Sequence, residues 1–307
     1  MSMSNNEFGK VAVLYGGNSS EREISLISGE AVYKALKIKG IDVYLIDTKQ
    51  PFIKRLLDEK FNNVWIALHG ADGEDGKIQS LLELSDIQFT GSQTLSCSLT
   101  MNKLFTKKVL IANNHQTPDF LILDETTTFL EISKTLGSPF IIKPCSQGSS
   151  LGIFIIKDED QYNEKYLDIH QLNDWIIAEK YFNGPEYTAA YLIDKVLPLV
   201  KIDASNEEFY NYEAKYFSDE TNYICPSELD KDVEESIKEE CLSIFELFNI
   251  RGWGRMDFFL NDDNRPVILE INTVPGMTTH SLVPMAAREE GVDFDSLCLE
   301  ILKTSLD

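Results

Sequence analysis

Residues 252–282 read G-W-G-R-M-D-F-F-L-N-D-D-N-R-P-V-I-L-E-I-N-T-V-P-G-M-T-T-H-S-L. Two β-type segments, 255–260 and 266–271, flank Asp262-Asp263-Asn264-Arg265, and this pattern predicts a hairpin. A turn centred on Asp263-Asn264 sets Asp257 opposite Glu270 and Arg255 opposite Asn272. Side chains alternate across a strand, so these four polar groups share one face, while Met256, Phe258, Leu269 and Ile271 turn toward a core. Like charges directly opposite one another destabilise a sheet. A magnesium ion held by oxygen ligands would resolve the Asp257–Glu270 repulsion; a solvated face with scattered charge is the alternative.

Around this stretch, the chain of 307 residues is long for one domain and suits two or three. Its 43% apolar and 25% charged content is that of a globular enzyme. Twenty-eight basic against fifty acidic residues leave a formal charge of −22. Such a surface argues against nucleic acid or an anionic membrane as partner and favours small ligands drawn into local basic pockets. Cys97, Cys145, Cys225, Cys241 and Cys298 are scattered without C-x-x-C spacing, as expected of reduced thiols in a cytosolic chain. The start, M-S-M-S-N-N-E-F-G-K, lacks the apolar core of a signal peptide, and no run approaches the roughly eighteen apolar residues of a membrane span. A cytoplasmic location is expected.

The first ninety or so residues alternate between strand and helix patterns. A strand over 11–15 runs into Gly16-Gly17-Asn18-Ser19-Ser20. Ser20 and Glu23 have capping-box spacing, and Ile24, Ile27, Ala31 and Ala35 follow at helical period up to Gly40. Further strands over 43–46 and 64–68 lead to His69-Gly70-Ala71-Asp72-Gly73-Glu74-Asp75-Gly76. The alternation predicts a mostly parallel sheet whose ligand crevice lies beyond the strand carboxyl ends, where Gly16-Gly17 and His69-Gly70 sit. Gly16-Gly17 alone, without G-x-G-x-x-G, is a weak nucleotide signal. Glu21 at the helix start is either a carboxylate favoured by the helix dipole or one that faces the crevice and holds a substrate ammonium.

From Ser92 onward the texture changes. A helix over 94–113 carries Lys103, Lys107 and Lys108; a strand over 120–123, a helix near 127–136 and a strand over 140–143 follow. Lys143-Pro144-Cys145-Ser146-Gln147-Gly148-Ser149-Ser150-Leu151-Gly152 then leads to a strand over 153–156. A small-residue loop between strands clusters N–H groups and hydroxyls, which suits a phosphate chain. It is no Walker loop, since G-K-[ST] is missing, and an ordinary glycine-rich hairpin is the alternative; Lys143 at its entrance weighs toward an anion. Strands over 175–181, 187–193 and 196–202 read as antiparallel. Residues 203–227 form a long loop rich in aromatics, among them Tyr216 beside Lys215, which reads as an ordered lid. A helix over 230–248 has the core stripe Val233, Ile237, Cys241, Ile244 and Phe248, and helices over 281–288 and 295–302 follow the hairpin.

Eight motifs in order then carry a family resemblance: Y-G-G-N-S-S-E-R-E-I-S, L-H-G-A-D-G-E-D-G-K-I-Q, M-N-K-L, I-K-P-C-S-Q-G-S-S-L-G, A-E-K-Y-F-N-G-P-E, Y-E-A-K-Y, G-R-M-D-F and L-E-I-N-T-V-P-G-M-T-x-x-S-L. Over essentially its whole length the chain resembles the D-alanine–D-alanine ligase family of the ATP-grasp superfamily. The resemblance implies a parallel α/β domain over 1–92, followed by a two-part ATP-grasp fold, 93–182 and 183–307, whose α+β halves carry antiparallel sheets and clamp ATP. It implies Asp257, Glu270 and Asn272 as ligands of two magnesium ions, with manganese as a substitute. Lys103, Lys143 and Lys215 would neutralise the ATP phosphates beneath the Ser149 loop, and Glu179, Lys180, Phe182 and Glu186 would hold adenine and ribose. Glu21 would bind the first D-alanine ammonium, with Ser149 and Tyr216 as its hydrogen-bonded partners, and His69 would lie near that substrate's carboxylate. Arg255 and the Gly276 N–H would stabilise an oxyanion, and Ser281 and Leu282 would meet the second D-alanine's carboxylate.

The resemblance also implies a homodimer, two D-alanines and ATP as partners, and neither nucleic acid nor membrane. Y-E-A-K-Y is similar to the dipeptide-forming type. Asn102 and Cys145 stand where Asp and Ser are usual, and Cys145 beside the phosphate loop is expected to make the enzyme sensitive to thiol reagents. Another ATP-grasp carboxylate–amine ligase would share the hairpin and lysines without needing Glu21, Tyr216 and Ser281 together; a noncatalytic nucleotide-binding protein would keep the ATP contacts but could lose Arg255 or the metal carboxylates, all of which are present.

Overall fold

The computed structural model of the chain describes residues 7–148, 152–203, 222–278 and 281–306. Three sheets form its frame. The first is parallel throughout, in the order Val43–Asp47, Val11–Tyr15, Asn63–Ile66, Gln88–Phe89. Parallel neighbours need crossovers, and the helices Arg22–Ile38, Ile53–Asp58 and Lys77–Leu84 supply them. The last two are short and have no counterpart in the sequence expectation. Strand order reverses between Val11–Tyr15 and Asn63–Ile66, and a ligand crevice opens at such a point.

The Arg22–Ile38 helix differs from its expected form. Its buried face is Ile24, Ser25, Ser28, Gly29, Val32, Ala35 and Leu36, whereas Ile27 is 50% exposed. Two serines sit where an apolar stripe would run, because both are hydrogen-bonded across the sheet edge. The Ser20–Glu23 capping box is absent: the helix begins at Arg22, with Glu21 as N-cap and no side-chain cap. Ser19 does the local work, accepting from the Glu21 N–H at 3.2 Å and donating to the His69 carbonyl at 2.7 Å.

The second sheet is antiparallel, in the order Phe120–Leu123, Ile176–Lys180, Phe140–Pro144, Phe154–Ile156. Helices Phe129–Leu136 and Glu159–His170 pack on it around Phe140 and Ile142. The helix expected over 94–113 is two helices, Thr94–Met101 and Lys103–Ala112. Asn102 breaks it, leaving helical space at φ −91°, ψ 103° and capping the second helix by accepting from the Phe105 N–H at 3.2 Å.

The third sheet runs Asn222–Ile224, Val200–Asp203, Glu186–Leu192, Trp253–Leu260, Pro266–Asn272, with Lys195–Val196 paired to Glu186–Leu192. The strand expected over 196–202 is therefore two pieces around Pro198, which has no N–H to give a ladder. The Lys231–Leu247 helix buries Ile237, Cys241 and Ile244 against this sheet, with Phe248 just beyond its end.

The hairpin pairs Arg255 with Asn272, Met256 with Ile271 and Asp257 with Glu270, as its parity requires. Nearer the turn the register shifts: Phe258 pairs with Ile268, and Leu260 with Pro266. The turn is centred on Asp263, half a residue earlier than expected. Asn261 Oδ1 braces it, accepting from the Asp263 and Arg265 N–H groups at 2.9 Å each, and Asn264 takes the left-handed conformation at φ +58°. A β-bulge at Leu269 absorbs the difference. Without it Glu270 would pair with Met256 and point into the core. As a result Ile268, not Leu269, joins Met256, Phe258 and Ile271 in the buried cluster.

Trp253 anchors the hairpin to the first sheet, its ring 5.3 Å from that of Trp65, and both are buried. One apolar core runs from that sheet into the helices Leu282–Glu289 and Phe294–Lys303. Among the described residues no helix is long and apolar enough to cross a membrane. The bulge has a measurable consequence. Ile268→Ala is expected to cost about 2–5 kcal/mol in urea denaturation, and Leu269→Ala about 1 kcal/mol or less. Equal losses would contradict the bulged register.

Candidate active site

A cleft opens where the three sheets meet, walled by the first sheet's carboxyl edge, Gly148 of the small-residue loop and the polar face of the hairpin. On the hairpin, Asp257 is 2% exposed and fully engaged. Arg255 donates to it through Nε at 2.8 Å and Nη2 at 2.7 Å, Thr188 through its hydroxyl at 2.7 Å and Asn272 through Nδ2 at 3.1 Å. Glu270 faces Lys103, whose Nζ lies 3.6 Å away. Each of the two opposed carboxylates thus has its own cation. The sequence reading gave Arg255 and Asp257 separate tasks; the structure joins them in one bidentate fork.

Among the described residues no three His, Cys, Asp or Glu side chains group as a metal centre. Asp257, Glu270 and the Asn272 amide oxygen nevertheless make an all-oxygen donor set on one strand face, the chemistry of a hard cation such as magnesium. Asn272 spends its N–H on Asp257, which leaves its oxygen as the donor. The set fits the metal, provided the Arg255 fork on Asp257 opens or shares the carboxylate.

Lysines line the way from the hairpin into the second sheet. Lys103, buried at the start of its helix, donates to the Gln147 carbonyl at 2.7 Å and so links the small-residue loop to Glu270. Lys143 lies 2.8 Å from Glu179 Oε2, and Lys107 lies 2.9 Å from Glu179 Oε1. All three are buried. Burial alone would raise the Glu179 carboxyl, but Lys107 and Lys143 outweigh it and hold the group below its ordinary value. Burial pushes the Lys107 ammonium down to about 8. Lys107 also donates to Thr117 Oγ1 at 2.7 Å, and that hydroxyl donates to the Ile268 carbonyl at 2.7 Å, beside the bulge. No sequence motif assigned Lys107 a role, although its i, i+4 spacing from Lys103 put both on one helix face.

Glu179, expected to hold the nucleotide, sets its carboxylate between Lys107 and Lys143. Lys180 is exposed at the strand end, Phe182 stacks on Phe259 at 5.4 Å and 7°, and Glu186 lines the cleft. Ser149, Lys215 and Tyr216 lie outside the described residues, as does most of the 203–227 loop. Cys145 is buried, and burial pushes its thiol up to about 11, so it makes a poor nucleophile. The expected thiol-reagent sensitivity has no basis at this position. All five cysteines are free.

At the other end stands Glu21, 5% exposed. Its carboxylate fits because two neighbours lack a Cβ. One at Gly148 would collide with Glu21 Oε1, and one at Gly70 would come within 2.7 Å of it. Glu74, not singled out by sequence, lies beside it: Oε2 accepts from the Gly70 N–H at 2.7 Å and Oε1 from the Val274 N–H at 3.2 Å. Burial, reinforced by the Glu21 charge, pushes Glu74 up to about 8.

His69 lines the cleft, but its Nδ1 is 2.9 Å from the Val274 carbonyl and its Nε2 2.9 Å from Ser28 Oγ. Burial pushes it down to about 4, so the ring is neutral and both nitrogens are taken by the protein. Ser281 starts the Leu282–Glu289 helix with its hydroxyl turned back to accept from the Thr278 N–H at 2.8 Å. Gly276, Ser281 and Leu282 face the same cleft as Glu21 and Arg255.

Glu74 gives a pH test. Its folded value lies above the ordinary 4.5, so the folded chain binds more protons between about 4.5 and about 8, and stability falls as pH rises through that window. In thermal unfolding, Glu74→Gln is expected to remove this part of the slope; parallel profiles for the two proteins would contradict it.

The family model for the D-ala D-ala ligase C-terminus matches residues 117–303, and that for the D-ala D-ala ligase N-terminus matches 10–59 and 51–92. The chain is 43% identical over 305 residues to a D-alanine–D-alanine ligase of Nitrosomonas europaea, covering 99% of this chain and 100% of the relative. It is 44% identical over 303 residues to one of Dichelobacter nodosus, covering 98% of each. Among solved structures, the D-alanine–D-alanine ligase of Bacillus anthracis complexed with ATP superposes with a TM-score of 0.84 at 29% identity, covering 97% of each chain. The chain belongs to the D-alanine–D-alanine ligase family.

Proposed function

We propose that this cleft performs the family's reaction, joining two D-alanines into D-alanyl-D-alanine with ATP as phosphoryl donor, and that the residues named above carry it. The observation that supports the reading most is the convergence on one cleft of an opposed carboxylate pair, buried lysines, an enclosed Glu21 and the Gly276–Ser281 segment. A ligase of this family serves peptidoglycan precursor synthesis. We place it in the cytoplasm as a homodimer, as the resemblance implies.

The chemistry follows from what each group can do. A carboxylate does not react with an amine at neutral pH until one of its oxygens becomes a leaving group. Glu21 holds the first D-alanine by its ammonium, with Ser149 and Tyr216 beside it. A carboxylate oxygen of that substrate attacks the γ-phosphorus of ATP, ADP departs, and D-alanyl phosphate forms. Positioning and charge neutralisation dominate such a step. Lys103, Lys143 and Lys215 supply positive charge to the phosphates, and the 179–186 segment orients adenine and ribose. Magnesium, or manganese in its place, held by Asp257, Glu270 and Asn272, supplies further charge neutralisation.

Ser281 and Leu282 orient the second D-alanine by its carboxylate. Its free amine attacks the acyl carbon, a tetrahedral oxyanion forms and phosphate leaves, while the nitrogen loses a proton. Arg255 and the Gly276 N–H stabilise the oxyanion; one such donor is worth about 3 kcal/mol. The Asp257 fork holds the guanidinium plane for this task.

The test is phosphate release from ATP and magnesium, with and without D-alanine. D-alanine-dependent release matched by dipeptide is expected, and its absence would sink the reading. Glu270→Gln is expected to lower turnover on the order of a hundredfold or more, the loss of several kcal/mol. Near-normal turnover at limiting magnesium would remove Glu270 from the metal set.

A further inference from the structure

We propose that Ser28 and Glu74 are positioning residues for acyl transfer: with His69 they clamp residues 274–277 from the first sheet and thereby place the Gly276 N–H. The inference rests on the ligase reading above and concerns its second step.

Residues between the Pro266–Asn272 strand and the Leu282–Glu289 helix have no ladder to satisfy their backbone, so their polar groups need other partners. The first-sheet side of the cleft supplies them. Val274 donates its N–H to Glu74 Oε1 at 3.2 Å, and its carbonyl faces His69 Nδ1 at 2.9 Å. Met277 donates its N–H to Ser28 Oγ at 3.1 Å, and that oxygen lies 2.9 Å from His69 Nε2.

A carbonyl only accepts, so Nδ1 carries the proton; Nε2 is then an acceptor, and the Ser28 hydroxyl must donate to it. The relay closes without a spare proton: Met277 N–H to Ser28, Ser28 O–H to His69, His69 N–H to the Val274 carbonyl. Burial keeps the imidazole neutral, which preserves this sequence of donors. Glu74 adds the fourth tie, and through its other oxygen it holds Gly70 next to His69.

Gly276 sits inside this clamp. Pro275 has no N–H, and those of Val274 and Met277 are spent, whereas among the described residues the Gly276 N–H meets no acceptor. The clamp ties down the backbone on either side and leaves this one donor for the cleft that Gly276 lines. It also explains why Ser28, with no exposed surface, occupies a helix face that would otherwise be apolar.

Activation of the first substrate depends on Glu21, the hairpin carboxylates and the lysines, not on residues 274–277. A displaced oxyanion donor therefore slows the second step selectively, and misplacement by about 1 Å can cost on the order of a hundredfold. The acyl phosphate then has time to meet water: water oxygen bonds to the acyl carbon, the carbon–oxygen bond to phosphate breaks, and D-alanine and phosphate are returned. The signature is phosphate released without dipeptide.

Ser28→Ala removes both the acceptor for Met277 and the donor to His69. Glu74→Gln keeps the size but retains only one acceptor oxygen for two N–H groups. In each holoenzyme, phosphate and dipeptide are measured together at saturating D-alanine, with thermal unfolding recorded alongside. The expected result is dipeptide formation down about 10–100-fold and a phosphate-to-dipeptide ratio well above the wild-type value of one, in whichever variant folds. A ratio that stays at one in the variants, whatever their melting temperature, makes Ser28 and Glu74 packing residues and overturns the proposal alone. A wild-type chain with no D-alanine-dependent phosphate release overturns the ligase reading and this inference together.

Discussion

Asp257 and Glu270 face each other across an antiparallel ladder, and the rest of the site is arranged around that conflict. Directly opposed side chains stand about 5 Å apart, where two unit charges at a partly screened site repel by about 3 kcal/mol. That exceeds what a surface ion pair typically returns, at most about 1 kcal/mol, so the pair persists only with dedicated cations. Arg255 meets one carboxylate as a fork and Lys103 meets the other. Lys103 in turn grips the Gln147 carbonyl, bringing the small-residue loop to the hairpin.

The same face is fastened from two further directions. From the second sheet, the Lys107–Thr117–Ile268 chain reaches the strand beside the bulge, and Lys107 shares Glu179 with Lys143. From the first sheet, Ser28, His69 and Glu74 hold the residues that follow Asn272. Removing one partner from a buried charge cluster of this kind costs about 3–5 kcal/mol, because a charge is left unpaired in a low dielectric. Anchoring of that strength holds a carboxylate pair, a guanidinium and a backbone N–H in fixed relation, which an acyl-transfer site requires.

Much of this was legible in the sequence where one short rule governed. Strand parity placed Asp257, Glu270, Arg255 and Asn272 on one face, and βα alternation put Gly16-Gly17 and His69-Gly70 at one crevice, with Glu21 left open between a dipole-favoured carboxylate and one facing it. The turn centre was misjudged by half a residue, and the site register survived only because a bulge at Leu269 compensated. Period alone misread the Arg22–Ile38 helix, since Ser25 and Ser28 are buried for their hydroxyls and Ile27 is half exposed. Asn102, noticed only as a departure from the family pattern, turned out to cap a helix and break the expected one in two. Glu74 and Lys107 drew no role from the sequence because their meaning depends on distant partners. Val274 is two hundred residues from Glu74, and Thr117 and Glu179 come from separate elements. Buried charge is readable from a structure but has no local signature in a chain.

We propose that the opposed carboxylates form the seat of the metal and hence of the nucleotide phosphates. The most direct test is manganese binding in the presence of ADP, followed by electron paramagnetic resonance, for the wild-type chain and for Asp257→Asn. The expected result is a clear loss of bound manganese in the variant while the wild type retains it. Equal manganese binding by both proteins would contradict the claim and leave Asp257 as no more than the counter-ion of Arg255.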